Sequence, residues 1–474
     1  MTHTIAPSRR TSWTCRPTIR TLLAAPALLG ALAAAEPSAA AQAAPSGAQA
    51  TPTSAAPPAK SAREILDERY VVGPTAADTF GYRIVWQTDP LATANSEAQF
   101  AKTGTDSVWF ADSAGSVVRV RRDNGETVWR ASTYKGIEKV LSIDHLPFGS
   151  EDRVYVVTQI NTVALEALTG ALARRSPFAQ LPTTEPAVYG PYMVYGTRNG
   201  LVSWYQYGTG YGWRATTIGG SVRAQPTVAG NIVLSGSTSG TVLALEAATT
   251  RVLWERRLSA GVETHIAADT LAAFVAGRDQ GLWAFDLPRG RVLWHYFTQS
   301  QLLNDPIRIA DGLYLQIPGE GLVSFNPHPV DRPEGEVRWK AAVPGNVIGR
   351  LGTNLLVWDA ASSAFAFVDA GNGRVVAQAN LPQVSLIQSV PMVNGDLYVC
   401  STNGRVERLE PLARPAVPTG MEAAPAEATA ASAQPADGAA SPPAEPDTEP
   451  SAEPARNSAP DIHVPAPRFN QRLR

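Results

Sequence analysis

One phrase recurs eight times along this chain, and its spacing limits what the chain can fold into. In the fullest copy an apolar run ends on an acid, a turn places Gly four positions later, and a short apolar run closes on Trp. The residues are Ala284, Asp286, Gly290 and Trp294. A second copy carries Ala244, Glu246, Thr250 and Trp254, and a third ends on Gly125 and Trp129. The copies lie about 40 residues apart. A fixed period of that size built from strands specifies a radial or stacked repeat, since each unit buries its faces only against its neighbours.

Within a unit the pattern is strand-like. Thr227-Val228, Ile232–Ser235, Thr241–Leu245 and Val252–Trp254 are apolar segments separated by turn residues such as Gly230-Asn231 and Ser239-Gly240. Four short strands with turns between them predict an antiparallel meander. The apolar runs lack strict alternation, which fits strands covered on both faces. Sheets packed face to face around an axis satisfy this, so an all-β propeller is expected.

The closing position falls at Trp129, Arg174, Trp213, Trp254, Trp294, Trp339 and Ala377, which counts seven units. An eighth begins at Val390-Pro391, runs to Glu410 and lacks its last strand. The segment 83–86, ending on Trp86, matches 251–254 and 291–294 and supplies it. Eight blades closed by the N-terminal strand are therefore expected, with seven blades and a free 83–86 strand as the alternative. Closure covers the edges that would recruit other chains, so a monomer is expected.

Outside the repeats the composition changes. Arg9, Arg10, Arg16 and Arg20 precede an apolar stretch from Leu22 to Ala35, and Ala41-Gln42-Ala43 is a small-residue cleavage site. Residues 1–43 thus read as a signal peptide, and the mature chain is expected in the periplasm or cell envelope without a transmembrane helix. Ser8-Arg9-Arg10 hints at a twin-arginine signal, although the residues after it fit that pattern poorly. No Cys follows the apolar run, which argues against a lipid anchor there. Residues 44–61 form an Ala/Pro-rich linker, 62–81 a short helix or lead-in, 82–411 the propeller, and 412–474 an Ala/Pro/Glu-rich tail whose composition predicts disorder. The tail ends on the basic-aromatic group Arg468, Phe469, Arg472 and Arg474.

The charge is near balance, 40 basic against 42 acidic residues, and gives no footprint for nucleic acid. Loss of Cys15 with the signal would leave Cys400 alone, without an internal disulfide. The six His show no metal-ligand spacing, there is no CxxC, and no nucleophile elbow occurs. Gly208 and Gly210 lie between strands and read as turn residues, not as a phosphate loop. No catalytic, cofactor or metal residue is assigned. The recurring Trp86, Trp129, Trp254, Trp294 and Trp339, with Asp286 and Gly290, read as structural. Each indole buries against the next sheet and donates to a backbone carbonyl, and the acid accepts turn N–H groups.

Two surfaces stand out as partner-binding candidates. Strand entries at Pro186, Pro226, Ile266, Pro306 and Pro391 recur at multiples of about 40. The residues beside them, Glu185, Gln225, His265 and Asp305, with Arg350 and Ser389, are expected to ring the axial mouth. The second is an aromatic group: Trp204, Tyr205, Tyr207, Tyr211 and Trp213. It reads either as a surface for extended peptide or as packing between blades.

The recurring phrase resembles the tryptophan docking motif of PQQ-like repeats, Ala-x-Asp-x-x-x-Gly-x-x-x-Trp. It is complete at Ala284, Asp286, Gly290 and Trp294 and altered elsewhere, as at Arg174 and Ala377. The resemblance implies an eight-bladed propeller. One branch of this family, the quinoprotein alcohol dehydrogenases, binds pyrroloquinoline quinone and calcium over a vicinal Cys-Cys pair, which this chain lacks. The other, BamB-like branch consists of exported single propellers that bind protein partners and assist insertion of outer-membrane β-barrels. The resemblance to the second branch implies a non-enzymatic envelope scaffold without a cofactor. A quinone-dependent dehydrogenase, or a carbohydrate- or cell-wall-binding propeller, is the alternative.

Overall fold

The computed structural model describes residues 61–90, 98–135 and 137–412. The signal segment, the linker up to residue 60 and the terminal group from Arg468 to Arg474 lie outside the described residues. The described chain forms eight four-stranded antiparallel sheets. Blades 1 to 7 run in chain order over 98–132, 140–177, 187–217, 227–257, 267–297, 307–341 and 346–380. Blade 8 takes Val384–Val390, Asp396–Ser401 and Val406–Pro411, and its fourth strand is Tyr82–Thr88. Arg83 pairs with Glu410 and Trp86 with Arg408. The N-terminal strand therefore closes the ring, and the seven-blade alternative falls.

Blade 4 shows why the pattern folds this way. Its strands are Thr227–Ala229, Ile232–Gly236, Thr241–Glu246 and Val252–Arg257. The two middle strands are buried almost throughout, whereas the outermost strand alternates between exposed and covered residues. Sheets sandwiched on both faces require apolar residues on both.

The Trp motif ties one blade to the next. Trp254 Nε1 donates to the Leu287 carbonyl at 2.8 Å, and Trp294 Nε1 to that of Pro327 at 3.0 Å. Trp86, Trp129 and Trp339 repeat the bond to Arg122, Ala167 and Ala370. Leu287, Ala167 and Ala370 directly follow the acid of the neighbouring blade, and Arg122 and Pro327 hold the same place after Arg121 and Asn326. The ring then lies over the turn. Gly290 has φ +65°, and a Cβ there would meet the Trp254 ring at 2.4 Å. Left-handed backbone and close ring approach both require glycine at that point. Asp286 accepts the Arg289 N–H, fixing the turn.

Three blades depart from this rule. In blade 2 the position is Arg174, whose guanidinium donates to the carbonyls of Tyr207 and Gly208. In blade 3 it is Arg214, not Trp213. A bulge skips Trp213, Trp204 pairs with Arg214, and Ala244 pairs with Trp254 at the matching place. Arg214 donates to the Thr249 carbonyl at 2.8 Å. The indole bond to the next blade comes instead from Trp204, which donates to the Ala247 carbonyl at 3.1 Å. In blade 7 the position is Ala377, because blade 8 has no turn for an indole to cover. There the chain arrives at Leu412 and restarts at Gly81, and the Leu412 N–H donates to the Gly81 carbonyl. Phe80 fills the space, with ring centroids 4.8 and 4.9 Å from Phe365 and Phe367.

Phe80 belongs to a lead-in of two short helices, Ala62–Arg69 and Pro74–Thr79. Ser61 and Glu64 form a capping box on the first. The second helix starts at Pro74, a residue suited to a first helical turn. The loop between them lies on blade 8: the Val72 N–H donates to Glu407 at 2.6 Å, and the Val71 N–H to Gln87 at 2.9 Å. Blade 8 is also tied to blade 1. Buried Asp396 accepts from Arg408 at 2.9 Å and from Arg122 at 3.3 Å.

Candidate functional site

The inner strands bring a polar group around the axis, on the side where the chain passes between blades. Gln225 Nε2 donates to the Pro186 carbonyl at 2.9 Å. His265 Nδ1 lies 3.2 Å from the Gln225 carbonyl, and the His265 N–H donates to Asp305 at 2.7 Å. Glu185 is bonded to the Lys102 ammonium at 3.0 Å, two blades away. Lys102 also lies 3.6 Å from Asp144. The expected residues Glu185, Gln225, His265 and Asp305 thus come together in a chain of contacts spanning blades 3 to 6, which Lys102 and Asp144 extend to blades 1 and 2.

Electrostatics follow from this enclosure. Desolvation works against the Lys102 ammonium, but the Asp144 and Glu185 carboxylates outweigh it and hold its pKa above the ordinary lysine value. Desolvation pushes the Glu185 carboxyl up, with Lys102 opposing. Among the described residues no three His, Cys, Asp or Glu side chains are grouped to hold a metal ion. The Lys102 ammonium instead occupies the space between the two carboxylates.

Lys102 and Asp144 escaped the sequence reading. Lys102 pairs with Trp109 and Asp144 with Tyr155, as Thr227 pairs with Leu234, so both lie two positions further along their inner strands than Gln225 does, and the Lys102 ammonium reaches Glu185 from there. The inner strands of those two blades carry no proline entry and contain bulges at Ala98/Phe100 and Val140/Ser142, which hid the register.

Arg350 and Ser389 do not join this mouth. Arg350 pairs with Leu355 and Ser389 with Leu397, as Val228 pairs with Val233. Both therefore sit three positions beyond the place of Gln225, toward the opposite end of the inner strand. The eighth unit misled the reading because Pro391 follows its inner strand, Val384–Val390, and does not start it. Arg350 pairs with Asp311 of blade 6 at 3.0 Å, and Ser389 Oγ donates to the Pro391 carbonyl. Arg308 makes the same kind of inter-blade bond to Asp269 of blade 5, where His328 also lies at 2.8 Å. Burial pushes the Asp269 carboxyl up; the N–H groups of Leu271 and Ala272, with Arg308 and His328, more than offset that and hold it low. The Arg350–Asp311 and Arg308–Asp269 pairs are latches between blades.

The aromatic group is not one surface. Trp204, Tyr205 and Tyr207 are buried, Trp213 is half-buried and stacks on Tyr192, and Tyr211 alone is exposed. The strand Leu201–Gln206 is covered on both faces, so neighbouring residues are buried alike. Its packing role replaces the peptide-surface reading.

Exposed apolar residues do occur on loops of the same face. Ile137, Ile160 and Leu181 stand on adjoining loops, joined by bonds from Gln159 N–H to the Lys139 carbonyl and from Phe178 N–H to the Ile160 carbonyl. No helix among the described residues is long and apolar enough to cross a membrane.

Comparison with known proteins agrees with this architecture. The structure of BamB from Moraxella catarrhalis superposes with a TM-score of 0.53 at 20% identity, covering 69% of this chain and 97% of that one. The computationally designed Ika8 protein gives a TM-score of 0.54 at 14% identity, covering 67% and 98%. Both show the fold alone. Outer membrane protein assembly factor BamB of Moranella endobia (strain PCIT) is 25% identical over 335 residues, 64% of this chain and 82% of the relative. The family model described as outer membrane protein assembly factor BamB matches residues 113–210 and 198–411, more than half of the chain. With the repeats, the indole docking and the ring closure already in place, that match makes the chain a member of the BamB family of PQQ-like repeat propellers.

Proposed function

We propose that this propeller is a non-catalytic scaffold of the cell envelope, exported to the periplasm, which binds protein partners of the machinery that inserts outer-membrane β-barrels. The family match along the ring carries this reading. The face bearing the inter-blade connections supports it, with exposed apolar Ile137, Ile160 and Leu181 on the same face as a polar axial mouth. Protein interfaces combine an apolar centre with a polar rim in this way. The binding surface is assigned to that face.

The test is affinity capture from envelope extract with identification of the retained proteins. Wild-type protein should retain a β-barrel assembly component, and the pair Ile137→Asp with Leu181→Asp should release it. Capture of no such component, or retention unaffected by the pair, would count against the reading. Dye-linked alcohol oxidation after reconstitution with pyrroloquinoline quinone and calcium should stay at background; turnover would move the protein to the enzyme branch.

A further inference from the structure

The seam between blades 7 and 8 keeps an open groove where the other junctions are plugged. At those others a Trp or Arg reaches from the outer strand of one blade to a carbonyl of the next. Ala377 holds that position in blade 7 and has no side chain long enough to do so. Phe80 takes the docking place itself, yet a groove of about 360 Å³ stays open beside it. Its walls include Thr79, Gly81, Leu351, Thr353, Phe367 and Val376. A concavity of that size holds a small ligand or a few side chains. Val376 is 58% exposed on one wall, and Leu412 is 57% exposed where the described chain stops. The Leu412 N–H donates to the Gly81 carbonyl at 2.9 Å, so the chain departs from the rim of the groove.

We propose that this groove is covered by the chain's own continuation, residues 413–418, with Val417 seated against Val376. The segment reads Ala413-Arg414-Pro415-Ala416-Val417-Pro418 and lies outside the described residues. Each proline removes one N–H donor and favours an extended residue before it. The segment therefore brings few polar backbone groups to an apolar wall and loses little freedom on docking. The reach fits as well. Phe80 stacks on Phe367 at 4.9 Å, and Phe367 pairs with Ala377 on the neighbouring strand, about 5 Å further on. Five residues of polyproline-like chain cover about 15 Å, which carries Val417 from Leu412 across to Val376. A tether this short holds the segment at a local concentration of about millimolar, so a weak contact keeps the groove covered. A second copy of the chain would have to displace a segment already tethered at the rim. The segment thus does at this seam what an indole does at others, shielding the outer strand of blade 7. The inference is independent of the scaffold reading.

Thiol labelling of the full chain tests this. Val376→Cys is compared with Leu293→Cys, which precedes Trp294 in blade 5 as Val376 precedes Ala377 and is 44% exposed. Fragment mass spectrometry reads the rate at each position and separates it from buried Cys400. With the groove open, Val376→Cys should react at least as fast as Leu293→Cys. With the segment docked it should react about tenfold more slowly. Adding Val417→Asp, which sets a charge against the apolar wall, should bring the rate back to within about twofold of Leu293→Cys. Thermal melts check that every variant keeps the propeller. Where Val376→Cys does not fold, Thr353→Cys on the groove wall is labelled with and without Val417→Asp, and the same gain in rate is expected. Equal rates for Val376→Cys and Leu293→Cys, or protection unchanged by Val417→Asp, overturn the inference. Protection that fades on dilution also overturns it and gives the groove to a second copy.

Discussion

The junction between blades 5 and 6 and the one between blades 7 and 8 solve the same problem by different means. At the first, a single side chain does the work. Trp294 buries its ring, donates to the Pro327 carbonyl and lies over the turn at Gly335. At the second, the docking position holds Ala377 and the space is filled by Phe80, which arrives from the other end of the chain with its two-helix lead-in. The first junction is local in sequence and repeats. The second depends on residues more than 300 positions apart, as the bond from Val72 to Glu407 shows. A seam built once from distant parts has no pattern to betray it, and its strength depends on a buried carboxylate where the Trp-bearing junctions depend on an indole.

The largest expected effect tests the indole side of this contrast. Trp294 is 2% exposed. Trp294→Ala should cost about 3–5 kcal/mol in a denaturant melt, from lost burial and the cavity left behind. A cost below about 1 kcal/mol would mean that the rings do not hold the blades together. Arg174→Ala, at the same position of blade 2, should cost less, since a guanidinium bonded to two carbonyls buries less apolar surface.

The turn beneath the ring gives the next effect. Gly290→Ala places a Cβ 2.4 Å from the Trp254 ring and forces a left-handed residue with a side chain. The expected cost is about 2–4 kcal/mol by the same melt. Stability equal to wild type would show that the ring can shift freely, contrary to a docked indole.

The closing seam should respond to pH instead. Glu407 is fully buried, and desolvation pushes its carboxyl up to about 7, opposed by the N–H groups of Val72 and Val71. A raised carboxyl pKa means that the folded state prefers the protonated form. The stability it contributes is complete below pH 4.5, its unperturbed value, and is lost as pH rises to about 7. The loss is on the order of 1–3 kcal/mol. Melts of wild type and Glu407→Gln from pH 4 to 8 should therefore diverge, with the neutral variant holding its stability at high pH. Parallel curves would show that the lead-in is not held by this carboxylate.

Much of the contrast was readable beforehand, for a physical reason. Blades 4 to 6 repeat because each must bury both faces against a neighbour, so the apolar period and the Trp were forced into the sequence, with Gly at the indole-covered turns of blades 5 and 6. The strand at 83–86 was legible because it copies that pattern. The lead-in was less so: Phe80 and the helix at Pro74 make contacts with no repeat behind them. The docking position in blade 3 was read one residue early because Trp213 lies beside Arg214, although the spacing from Gly210 leads to Arg214 and the bulge there recurs at the same place in blades 4 and 5. The mouth was half visible. Prolines marked its entries in blades 3, 4 and 6, and nothing comparable marked Lys102 and Asp144. Arg350 and Ser389 were misplaced because a period of 40 identifies equivalent blades without saying which end of a strand a residue occupies.

The smallest effect separates the Trp-bearing junctions from the one between blades 3 and 4. There the turn residue is Thr250, at φ +63°, where the other turns have Gly. A threonine tolerates that position only because no indole covers it: Arg214 occupies the docking place and Trp204 has taken over the bond to the Ala247 carbonyl. Its left-handed backbone is still strained. Thr250→Gly relieves the strain but adds freedom to the unfolded chain, and the two nearly offset. A net gain of about 0.5 kcal/mol is expected in a denaturant melt. A loss beyond about 1 kcal/mol would mean that the Thr250 side chain itself supports the junction, and the pairing of lost glycine with lost tryptophan would then be coincidence.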